Sequence, residues 1–89
     1  MTAGELNSKQ RRTLVMVFET PPRSNVLWSD VEALLLALGA QISQGRGSRV
    51  RVLLNDVAAV FHRPHPKKET EKGALRSVRT FLERAGVKP

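Results

Sequence analysis

The sequence predicts an α+β domain: a three-stranded antiparallel sheet with two helices on one face, plus an extra helix at the N-terminus. Three observations carry that prediction. Val31, Leu34, Leu35 and Leu38 recur at helical spacing, and so do Leu75, Val78, Leu82 and Ala85. Between these runs, residues 49–54 read RVRVLL, with Val50, Val52 and Leu54 on one face and Arg49, Arg51 and Leu53 on the other. The joins around that stretch are so short that successive strands must run antiparallel.

Each element follows in order. Residues 1–7 are polar and are expected to fray. SKQRRTLVMVFET suggests a helix at about 8–20, with Leu14, Val15, Phe18 and the stem of Arg11 on one face, stopped by Pro21-Pro22. Ser29 followed by Glu32 reads as a capping box, with Trp28 packing back onto the first turn, and Gly39 is placed to end the second helix. Residues 41–43 form a short strand, 45–48 a turn, 49–54 the central strand, Asn55-Asp56 a tight turn and 57–62 the third strand. RPHPKKETEKG is the long loop. Thr70 is the expected cap of the last helix, which carries Phe81 beside its inward residues and ends at Gly86. The chain thus divides into an N-terminal extension, 1–27, and a domain at 28–89.

Composition narrows the function classes. Eighty-nine residues make one small core, so chemistry belongs on an open face or groove. Without cysteine there are no disulfides or thiolate zinc sites. MTAGELNSKQRR lacks the apolar core of a signal peptide, and ALLLALGA is far short of the roughly 20 residues of a membrane span. The expected location is therefore the cytoplasm, with no membrane partner. Fifteen Lys and Arg against eight Asp and Glu leave a formal charge of +7, which attracts polyanions. A merely well-solvated basic surface, or an acidic protein partner, remains an alternative source of that excess.

Three stretches carry chemistry. In HRPHPKK, His62 and His65 are three apart, but Pro64 lies between them and no acidic cluster adjoins, which argues against a metal. No other cofactor is suggested. Acid–base work on RNA suits them better, since an imidazole can take the proton of a 2′-hydroxyl or give one to a leaving 5′-oxygen. The structural alternatives are a strand-end hydrogen bond for His62 and loop geometry for His65. In PKKETEKG, Lys67 and Lys68 precede the last helix and Lys72 lies in its first turn, where free N–H groups favour an anion. Glu69 and Glu71 supply a purely local reading of the same lysines. In GRGSRVRV, Arg46, Ser48, Arg49 and Arg51 offer donors to phosphates from a turn and an open strand face. Arg76, on the last helix, completes the set of candidate RNA-binding residues.

GSRVRV, the following strand, PHPKK, a glycine with a leucine two positions on, and a final helix ending AGV resemble the HicA family of bacterial toxins. The resemblance spans about residues 29–88, and HPKKETEKGALR is its most specific part. It implies a fold like that of double-stranded RNA-binding domains. It also implies a metal-independent endoribonuclease that cleaves mRNA and is neutralised by a HicB-like antitoxin. The family usually carries Gly-Ser-His at the start of the second strand and assigns catalysis to that histidine, whereas this chain has Arg49 there. A guanidinium stabilises a phosphorane but does not act as a general base. His65 matches the histidine of the family's Pro-His element. The expected catalytic set is therefore His65, His62 and Arg49. A non-catalytic RNA-binding module, or a domain whose basic face serves an acidic antitoxin, stands as the alternative.

Overall fold

Alternation sets the sheet. In the computed structural model of the chain, which describes residues 5–89, Val50, Val52 and Leu54 are buried while Arg49, Arg51 and Leu53 are exposed. The elements run α1 (Ser8–Phe18), α2 (Trp28–Ala37), β1 (Gln41–Gln44), β2 (Arg49–Leu54), β3 (Val57–His62) and α3 (Lys72–Arg84). The strands form one antiparallel sheet in the order β1-β2-β3. The predicted α+β class and element order hold.

Asn55 and Asp56 both take positive φ, 49° and 65°, so the β2–β3 hairpin turns in two residues with Leu54 opposite Val57. That register puts Phe61 beneath the sheet. Its ring lies 5.9 Å from Trp28 of α2 and 5.6 Å, edge-on, from Phe81 of α3, so one aromatic joins both helices to the core face. Gly39 ends the helical stretch after α2 at φ 95°, and Gly86 does the same after α3 at φ 80°.

Four local expectations need correction. Leu6 is buried and Asn7 forms a reciprocal capping box with Gln10, so residues 6 and 7 are anchored where fraying was expected; residues 1–4 lie outside the described residues. Helix α1 ends at Phe18, and it buries Thr13, Leu14 and Val17 while Val15 is half exposed. The reason is its seat: α1 lies across α2 and α3, so the stripe through Leu14 and Val17 faces the core.

Ser29 does not cap α2. The helix already starts at Trp28, and Glu32 is engaged elsewhere. Likewise Thr70 does not cap α3; Glu71 occupies that position and makes no side-chain bond. Both misreadings share a cause. Residues 26–28 run antiparallel to 68–70, with the Trp28 N–H donating to Lys68 O (3.0 Å) and the Thr70 N–H donating to Val26 O (2.6 Å). This long-range bridge fixes both chain segments before either helix begins. It also leaves the Thr70 hydroxyl buried with no hydrogen-bond partner.

Candidate functional site

Antiparallel pairing places Arg49 opposite His62 and Arg51 opposite Val60. All four are exposed, on the face of the sheet opposite the buried Val50 and Val52. The turn before β2 is held tightly: the Gly45 N–H donates to Arg49 O (2.9 Å) and the Arg49 N–H donates to Arg46 O (3.1 Å). A Cβ on Gly45 would meet the Arg49 Cβ at 3.1 Å, and Gly47 sits at φ 59°. The first glycine thus serves the turn itself. Arg46 and Ser48 are presented at its exposed tip.

Beyond His62 the chain enters residues 63–71. The Arg63 N–H continues the hairpin ladder to Ser48 O (2.8 Å). Its guanidinium clamps Glu32 of α2 through two bonds, Nε to Oε2 (2.8 Å) and a second nitrogen to Oε1 (3.0 Å), and also donates to Gln44 of β1 (2.7 Å). The Trp28 indole N–H donates to the same Glu32 carboxylate. These donors, Arg63 first and the indole after it, hold the Glu32 carboxyl below its ordinary range, while partial burial pushes the other way. One fork therefore ties the start of the loop to α2 and β1. Residue periodicity gave no sign of it, because the ion pair spans 31 residues.

The anchored loop, the end of β3 and the head of α3 enclose an open cleft of about 440 Å³. His62, His65 and Lys67 line it together with Glu69, Thr70, Glu71 and Ser77. The two histidines and one lysine singled out from the sequence are thus brought to one place. Two carboxylates share the wall and temper its positive field. Lys68 lines a neighbouring depression with Trp28, and His65 and Lys67 border both. Arg49 and Arg51 lie on the adjoining open sheet face, and Arg76 borders a groove further along β3. Arg46 and Lys72 are exposed nearby in sequence but line neither cleft.

Among the described residues, none of Arg46, Arg49, Arg51, Lys67, Lys68, Lys72 or Arg76 pairs with a carboxylate. Their charges are open to an external anion. The first free N–H groups of α3 add to the same end, and no side chain closes them. Among the described residues no group of three or more His, Cys, Asp or Glu could hold a metal ion, and no helix is long and apolar enough to cross a membrane.

Comparison with curated proteins and with solved structures found no match. The family model described as the HicA toxin of bacterial toxin–antitoxin matches residues 28–87, from the first residue of α2 to just past α3, about two-thirds of the chain. That span includes the sheet, the anchored loop and the cleft, and leaves α1 outside it, though Leu14 and Val17 of α1 belong to the same core. The chain belongs to the HicA family of bacterial toxins.

Proposed function

We propose that this toxin binds RNA across the basic end of its sheet and the head of α3, cleaves it in the cleft, and is silenced by an acidic HicB-like antitoxin. The observation that supports this most is convergence: His62, His65 and Lys67 line one cleft, with Arg49 on the rung beside it. One imidazole takes the proton from a ribose 2′-hydroxyl, and the freed oxygen attacks the adjacent phosphorus. The P–O5′ bond breaks as the other imidazole protonates the departing oxygen, leaving a 2′,3′-cyclic phosphate and a 5′-hydroxyl. Arg49 and Lys67 offset the charge that develops on the phosphorane. Contacts fall mainly on phosphates and 2′-hydroxyls, so duplex sequence is read weakly.

A second reading is favoured by one residue. A guanidinium is no general base, so a chain relying on Arg49 at that position would bind RNA without cutting it. The experiment is incubation of the purified protein with a defined mRNA in chelator, beside His62→Ala, His65→Ala and Arg49→Ala. Cleavage by the parent that falls about 10²–10⁴-fold in either histidine variant supports the acid–base reading. Intact RNA with binding preserved establishes the non-catalytic module instead.

A further inference from the structure

The third strand is an edge, and among the described residues nothing pairs with its outer side. Pairs 54↔57, 52↔59 and 50↔61 share the phase of the Arg63-to-Ser48 bond, so these residues exchange hydrogen bonds with β2. The N–H and C=O groups of Ala58, Val60 and His62 therefore point outward. Sheet edges in soluble proteins are commonly protected by charge, proline or a bulge. The run Val57–Phe61 carries none of these, and Val60 is 51% exposed. The opposite edge, β1, reads QISQ and is polar.

Alongside this edge runs a groove walled by α3. A cavity of about 300 Å³ lies between β3 and the Arg76, Thr80 and Arg84 side of the helix. It shares Val60, Phe61 and Ser77 with the 440 Å³ cleft, so the two adjoin along the strand. Neither Arg76 nor Arg84 pairs with a carboxylate among the described residues. An edge strand facing a helix across a groove is the arrangement in which extended peptides dock by strand addition.

We infer that β3 captures an extended acidic segment of a partner protein as a fourth, antiparallel strand. The phase of the edge dictates its pattern. Residues opposite Ala58 and Val60 exchange both backbone bonds with them and place their side chains on the open sheet face, where apolar groups fit. The alternate residues face α3, where Arg76 and Arg84 call for carboxylates. A second copy of this chain is a poor occupant, since both carry +7. A strand seated there ends beside His62 and Lys67, so it and RNA exclude each other. That consequence, unlike the strand site, rests on the RNA reading.

The probe is a capped octapeptide alternating valine and glutamate, followed by fluorescence anisotropy at low salt with no RNA present. Binding is expected, with protection of the Ala58 and Val60 amides from hydrogen exchange. N-methylation of the valines should weaken it about tenfold or more, while N-methylation of the glutamates leaves it within about twofold. Val60→Pro removes one outward N–H while the ladder to β2 survives, and should weaken binding similarly. A native circular dichroism spectrum guards against misfolding of that variant, and Ala58→Pro provides a second test. No binding at about 1 mM peptide overturns the inference, as does equal loss from either methylated set. A concentration-dependent dimer dissolved by Val60→Pro would replace the partner segment with a second copy. RNA affinity of the same preparation is measured separately, so failure here and failure of the RNA reading are distinguishable.

Discussion

The heads of α1 and α3 face the same physical problem and solve it differently. Each has backbone N–H groups with no partner inside the helix. At α1, Asn7 accepts from the Gln10 N–H (2.8 Å) while the Gln10 side chain accepts from the Asn7 N–H (3.0 Å), and Lys9 meets Asp30 of α2 at 3.3 Å. The protein closes that end with its own atoms. At α3 the cap position, Glu71, makes no side-chain bond, Thr70 holds a hydroxyl without a partner, and unpaired lysines precede the helix. The head of α1 is closed by the chain itself, whereas the head of α3 is left open beside the cleft, where the proposed RNA site lies.

The comparison breaks first if α3 itself is loosened. Leu75 is fully buried in the first turns of α3. Leu75→Ala should cost about 2–5 kcal/mol in urea unfolding and lower RNA affinity with it. Asn7→Ala removes the α1 cap and should cost about 1 kcal/mol while RNA affinity stays unchanged, which separates the two ends cleanly. Thr70→Val removes a buried hydroxyl that has no partner and should stabilise by roughly 1 kcal/mol. A destabilised Thr70→Val protein would mean the hydroxyl has a structural partner after all.

The smallest effect is on pH. Because the folded protein holds the Glu32 carboxyl below its ordinary value, its stabilising contribution is complete above about pH 4.3 and is lost as pH falls through the lowered folded value. Glu32→Gln should flatten the fall in Tm over that acid range. An unchanged slope would show that the Arg63 fork does not secure the loop.

Much of this was legible locally. The arginine–valine alternation of β2, the Asn55-Asp56 turn and the glycines ending α2 and α3 depend on neighbours within a few residues, and each was read correctly. The heads of α2 and α3 were misread for the opposite reason. Ser29 and Thr70 have the right chemistry for caps, but the pairing of residues 26–28 with 68–70 moves both helix starts. The face of α1 depends on where α2 and α3 sit, which its own sequence does not encode. At the site, the residue types of His62, His65 and Lys67 were visible, whereas the clamp of Arg63 on Glu32 exists only after folding.

Salt dependence tests the open end of α3 most directly. RNA affinity of the parent and of a Lys67→Ala, Lys68→Ala double variant is measured across a salt series. Two phosphate contacts at roughly 0.7 each predict a slope of log affinity against log salt shallower by about 1.4 in the variant on single-stranded RNA. Affinity should drop across all sequences alike. Equal slopes for the two proteins would contradict the account, because the lysines at the head of α3 would then touch no phosphate.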